Sequence, residues 1–137
     1  MSIQTGPAVM EQFLPQSPFV AKLGIVAEIL DGPQVRLRLP WDASNVTIAD
    51  MVHGGAIAAL ADVTVMAAAW AQVEVPDSLR GVTVSMSISY LAPARATDLI
   101  GVGRVLRQGR SLVNCEADVL TPDGEPVAKA IATYKVG

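Results

Sequence analysis

One cysteine, one histidine and few aromatic residues make up the scarcities of this chain, and each removes a class of protein. A single thiol, Cys115, cannot close an internal disulfide or build a multi-cysteine metal site. In a strand-like run it reads as a small buried hydrophobe. A single imidazole, His53, cannot belong to a multi-histidine metal site, and no metal is expected. Basic residues are too few to make a field that holds nucleic acid: ten Lys and Arg face thirteen Asp and Glu, for a net charge of −3. Aromatics are 4% and apolar residues 51%, so the core must be built from Ala, Val, Leu, Ile and Met. That composition is too apolar for disorder, and it suggests that some surface is covered in an oligomer. The 137 residues suit one domain over 1–137. Met1-Ser2-Ile3-Gln4 shows no basic stretch leading into an apolar one, so no secretory signal is expected and a cytoplasmic location is.

The longest apolar run, Gly54 to Val73, is long enough to cross a bilayer. It is dominated by Ala, however, and Asp62 sits near its centre, where a carboxylate costs about 3 kcal/mol on insertion scales. Its ends carry no Trp/Tyr belt with basic flanks. The run is therefore expected to be a helix buried inside a protein, starting at Gly54-Gly55 and ended by Pro76-Asp77.

Around it the chain reads as strands. Ala8–Leu14 is expected to form a short helix ended by Pro15 and Pro18. Ala21–Leu30 and Gln34–Leu39 read as strands about an Asp31-Gly32-Pro33 turn. In the second, Val35, Leu37 and Leu39 alternate with Arg36 and Arg38. Pro40 to Met51 reads as a loop. After the helix come Val82–Leu91, Leu99–Arg107, Leu112–Leu120 and Pro126–Val136, with turns at Gln108-Gly109-Arg110 and Thr121-Pro122-Asp123-Gly124. In the first of these the alternation sets Val82, Val84, Met86, Ile88 and Tyr90 on one face, and Thr83 in a row of hydroxyls on the other. In Leu112–Leu120 it sets Val113, Cys115, Ala117 and Val119 on one face. The order β-β-α-β-β-β-β implies an α+β fold in which an antiparallel sheet wraps one long helix.

The distinctive segment is Val52-His53-Gly54-Gly55 followed by an apolar stretch to Asp62. Glycines at a helix start let a ligand approach free backbone N–H groups at the positive end of the helix dipole. Such groups suit a carbonyl oxygen that turns negative during attack. Asp62 is a carboxylate among Ala, Leu, Val and Met, and burial without a partner would be costly.

His-Gly-Gly with an acid nine residues after the His resembles the hotdog thioesterase superfamily, above all its phenylacetyl-CoA (PaaI-like) branch and the medium- and long-chain acyl-CoA relatives of that branch. The resemblance extends to Gly81-Val82-Thr83, to Ile88-Ser89-Tyr90-Leu91-Ala92-Pro93-Ala94, and to Val105-Leu106-Arg107-Gln108-Gly109-Arg110-Ser111, in order. It implies hydrolysis of acyl- or aryl-coenzyme A thioesters. The catalytic set would be Asp62, Gly54, His53 and Thr83. Gly54 N–H would polarise the thioester carbonyl, and Asp62 would attack it or activate a water. Thr83 would orient that water, and His53 would support the Gly54 loop. Arg107, Gly109, Arg110 and Ser111 fall where relatives contact coenzyme A, and Tyr90 and Thr47 join them as substrate contacts. Thr47 departs from the pattern: several relatives carry Asn six residues before the His, and here Asn45 is two places off. No cofactor is implied, since coenzyme A is part of the substrate.

Two other readings compete. A hotdog dehydratase or hydratase needs a His placed as a base beside the carbonyl, and His53 sits where loop support is expected instead. A non-catalytic acyl-CoA-binding protein would gain by replacing Asp62. The expected assembly is a homo-oligomer with shared sites, a dimer or a dimer of dimers (a homotetramer). Gly54 and Asp62 are eight residues apart, roughly 12 Å on one helix, too far to act together on one carbonyl.

Overall fold

The computed structural model describes residues 5–137; residues 1–4, on which the expectation of no secretory signal rests, lie outside the described residues. The centre of the fold is α3, Gly54–Gln72, buried on nearly every side. By length and composition it could span a membrane, but the chain's own sheet covers it. Ala61, Ala67, Ala68 and Ala69 are fully buried, and such small side chains let helix and sheet approach closely. The closest approach is to Gly101 and Gly103: a Cβ on Gly101 would stand 2.2 Å from Thr64 Oγ1. Thr64, itself fully buried, donates its hydroxyl to Leu60 O at 2.7 Å, so this polar group costs little.

The sheet is antiparallel throughout and runs in the order β1-β2-β6-β7-β8-β5. Its strands are β1 Val26–Ile29, β2 Val35–Leu39, β5 Gly81–Tyr90, β6 Leu99–Gln108, β7 Leu112–Leu120 and β8 Pro126–Val136. Val35, Leu37 and Leu39 are buried as their alternation requires, and so are Val113, Cys115, Ala117 and Val119. On the outer face Arg104, Glu116, Asp118 and Lys129 form an ion-pair network across β6, β7 and β8. One sheet wrapped on one long helix is the hotdog arrangement.

Four expectations need correction. Ala21–Leu30 is not one strand. A helix, α2, occupies Pro18–Leu23 and the strand is only Val26–Ile29. Pro18 starts this helix, because proline's missing N–H is no loss at a first position. Gly24, at φ 75°, ends it in the left-handed conformation. Upstream, α1 covers Gly6–Phe13 and lies against α3. Second, the Pro40 to Met51 loop contains a small hairpin of β3 Val46–Ile48 and β4 Met51–Val52. Third, α3 ends at Gln72, before Pro76-Asp77, where Val73 turns extended. The Gln72 side chain ties this end down, donating to Gly32 O and accepting from Val105 N.

The fourth correction concerns β5. Thr83 pairs with Tyr134 but Ser85 pairs with Thr133, so Val84 is an extra residue in a β-bulge. Alternation shifts there by one. Thr83 joins Met86 and Ile88 on the half-buried face toward α3, while Val82 and Val84 are more than half exposed. A strict period-two reading puts Thr83 on the wrong face.

Candidate active site

The bulge turns Thr83 onto Asp62. Thr83 Oγ1 donates to Asp62 Oδ1 at 2.7 Å, so the carboxylate on the apolar helix has a partner and is only half-buried. Both line an open pocket of about 260 Å³ with Phe13, Met66, Val82 and Tyr134. Across it lies Tyr134, whose Oη accepts from Trp70 Nε1 at 3.0 Å. Burial pushes the Tyr134 hydroxyl above its ordinary pKa, the Trp70 bond opposes this, and the charge of Asp62 adds to it.

The start of α3 forms a second centre. His53 caps the helix with its side chain, Nδ1 accepting from Gly55 N at 2.7 Å. His53 O accepts from Ala56 N at 3.0 Å and from Ile57 N at 3.1 Å. Gly54 N–H is left as the first-turn amide with no acceptor among the described residues. Tyr90 Oη donates to Gly54 O at 3.1 Å, fixing the glycine against the end of β5. Gly54, Tyr90 and Thr47 line an open pocket of about 340 Å³ with Leu91 and Pro93. Asn45 is not among its lining residues; its carbonyl receives His53 N–H at 2.8 Å.

Five of the expected residues thus fall into two pockets, and His53 lines neither. Asp62 and Thr83 stand at one end of β5, Gly54, Tyr90 and Thr47 at the other. Arg107, Gly109, Arg110 and Ser111 lie in neither. Arg107 stands near the end of β6 and Gly109, Arg110 and Ser111 in the β6–β7 turn, at the Thr83 end of the sheet, since Gln108, Val113, Tyr134 and Thr83 pair in a row across it. Gly109 N donates to Leu112 O at 2.8 Å to close that turn. Arg107 and Arg110 are exposed, and neither forms an ion pair among the described residues. No group of three or more His, Cys, Asp or Glu comes together to hold a metal among the described residues. Cys115 is fully buried, and burial pushes its thiol up to about 11, which leaves it inert at neutral pH.

Ala and Met were expected in the core, and one methionine, Met66, lines the Asp62 pocket. The alanines instead pack against the sheet, and the walls beyond Asp62 are Phe13, Met66, Trp70, Leu79 and Tyr134. The signal was present in the spacing of Asp62, Met66 and Trp70, four residues apart and hence on one helix face.

The fold thus presents two groups that acyl transfer can use: a glycine amide with no acceptor among the described residues, able to polarise a carbonyl, and a helix carboxylate held by a hydroxyl. The chain belongs to the Thioesterase superfamily, whose family model matches residues 49–128, the stretch containing Gly54, Asp62, Thr83, Tyr90 and the 107–111 segment. This places it among the thioester hydrolases. A Halobacterium salinarum protein provisionally named an esterase is 29% identical over 131 residues, 90% of this chain and 86% of its own. The fold is that of PaaI from the phenylacetic acid degradation operon of E. coli, with a TM-score of 0.82 at 20% identity, over 99% of this chain and 97% of that one. A hypothetical thioesterase from Streptococcus pneumoniae, solved with coenzyme A, superposes with a TM-score of 0.70 at 24% identity, over 83% and 86% of the two chains.

Proposed function

We propose that the protein is a cytoplasmic hydrolase of acyl- or aryl-coenzyme A thioesters, acting as a homodimer whose sites are each shared by two subunits. The carrying observation is the division of the chemistry between two open pockets at opposite ends of one edge strand. β5 is that edge strand, and Val82, Val84 and Tyr90 along it and Leu91 just beyond it are all more than half exposed. Such an edge favours pairing with another strand. From Thr83 to Tyr90 is seven residues, about 23 Å of strand. Antiparallel pairing of β5 with its copy about a two-fold axis lays the Thr83 end of one against the Tyr90 end of the other. Asp62 of one subunit then faces Gly54 of its partner. Two such dimers can pair further into a tetramer.

In this site the Gly54 N–H polarises the thioester carbonyl. Asp62 either attacks the carbonyl carbon or takes a proton from a water that does, while Thr83 holds the carboxylate and its water in line. Both routes put negative charge on the carbonyl oxygen, where the amide and the helix dipole receive it. The C–S bond then breaks. In the water route Asp62 returns the proton it took to the departing sulfur, so that coenzyme A leaves as the thiol. In the direct route a water then hydrolyses the acyl–Asp62 anhydride, freeing the acid and the carboxylate and supplying the thiol's proton. Arg107 and Arg110, free of carboxylate partners, supply cations for its phosphates. The Streptococcus pneumoniae protein, which has this fold and was solved with coenzyme A, supports that choice of carrier. Against a hydratase stands His53, whose Nδ1 is engaged with Gly55 N–H and so is not a free base. Against a pure binder stands the retained Asp62–Thr83 pair.

The test is release of free thiol from a panel of acyl- and aryl-CoAs by the wild type and by Asp62→Asn. Turnover by the wild type, lost by orders of magnitude in a folded variant, supports the proposal. No thiol release from any substrate, or a variant that retains its kcat, overturns it.

A further inference from the structure

The pocket at Asp62 does not end there. It shares Phe13, Met66, Gly81 and Tyr134 with a second cavity of about 290 Å³, so the two run into one another. The second cavity lies between α1, the far half of α3 and the residues entering β5, with Val9, Met10, Trp70 and Leu79 as its remaining apolar walls. Of the six aromatic side chains in the chain, Phe13, Phe19, Trp70 and Tyr134 face this continuous space. The Trp70 indole N–H is already bonded to Tyr134 Oη, so that wall needs no polar group from a ligand. Gln12 and Gln16 stand at the rim.

Resting on the thioesterase reading, we infer that this double cavity holds a straight medium-length acyl chain laid along α3 from Asp62 to Trp70, with Met66 between the two chambers as the residue that sets chain length. The helix rises about 12 Å over the eight residues from Asp62 to Trp70. An extended alkyl chain advances a little less than one C–C bond length per carbon, so that distance takes about ten carbons. A phenylacetyl group reaches about half as far and leaves the inner chamber unfilled. Met66, one turn beyond Asp62, borders both chambers, and its unbranched side chain can swing aside to admit a chain.

The experiment measures kcat/KM for straight-chain acyl-CoAs of four to fourteen carbons and for phenylacetyl-CoA. Each methylene entering the apolar cavity should raise kcat/KM about three- to fourfold. The rise should stop near ten carbons, where the chain passes Trp70. Phenylacetyl-CoA should fall well below the ten-carbon substrate. Met66→Trp should lower the ratio of ten-carbon to four-carbon kcat/KM at least tenfold. A flat profile from four to ten carbons, phenylacetyl as the best substrate, or an unchanged ratio in Met66→Trp overturns the inference. Should no thioester be hydrolysed, the thioesterase reading fails, and the cavity is judged separately in Trp41→Phe protein, where Trp70 is the sole tryptophan and is excited at the red edge, beyond tyrosine absorption. Emission that shifts with decanoate but not with equal butyrate supports the cavity as a medium-chain site; emission unmoved by decanoate overturns it.

Discussion

Replacing Thr83 with Val isolates the hydrogen bond that the β5 bulge creates. Valine keeps the volume and the branched Cβ, so the strand and its packing should survive. Only the hydroxyl that donates to Asp62 Oδ1 at 2.7 Å is lost. A hydrogen bond to a charged group contributes about 1.5–3 kcal/mol. Asp62 is half-buried, so water replaces part of this and the lower end applies. About 1.5 kcal/mol corresponds to roughly a tenfold loss. That loss should fall on kcat, because the bond orients the carboxylate and does not hold the coenzyme A moiety. The assay is thiol release under saturating acyl-CoA, with circular dichroism to show that the variant is folded. Thr83→Ser, which restores a donor, should recover most of the rate. If folded Thr83→Val turns over within twofold of wild type, the Asp62–Thr83 pair has no part in the chemistry.

Neutralising Arg107 and Arg110 together to Gln should raise KM for acyl-CoA more than it lowers kcat, and should affect a truncated pantetheine thioester much less; an equal effect on both substrates removes the coenzyme A assignment. Glu116 is held below its ordinary pKa, first by the hydrogen bond from Lys129 and then by the charges of Lys129 and Arg104, against its own desolvation. A carboxyl lowered in the folded state stabilises above its unfolded pKa, and that contribution is lost as pH falls through the folded value. Glu116→Gln should therefore flatten the acid limb of a denaturation-versus-pH curve, and superimposable limbs would contradict the network's role. Gly101→Ala places a Cβ 2.2 Å from Thr64 Oγ1 and should cost about 1–3 kcal/mol in urea unfolding; unchanged stability would mean that helix and sheet are not in close contact there.

The sheet strands with clean alternation were legible because burial on one face imposes period two, as in Val35–Leu39 and Leu112–Leu120. The central helix was legible from its composition and its glycine start. What was hidden depends on tertiary context. Pro18 looks like a stop but starts a helix, since proline suits both places and only the following residues decide. The bulge at Val84 leaves no mark in the alternation of β5, yet it decides whether Thr83 faces Asp62 or solvent. Gly54 and Asp62 were readable as site residues from a local motif. Their separation into two pockets was expected from helix rise alone, and the structure puts them in separate pockets. Phe13 and Tyr134 were not readable as pocket walls, because they reach it from α1 and β8, far away in sequence.

The shared site is tested most directly by complementation. Asp62→Asn and Gly54→Val subunits, each folded and each inactive alone, are mixed in equal amounts under conditions that let subunits exchange. A mixed dimer holds one intact site, built from Gly54 of the first subunit and Asp62 of the second. Random exchange makes half the dimers mixed, so activity should return to about a quarter of the wild-type level. Verified mixed dimers that stay as inactive as their parents would contradict the account.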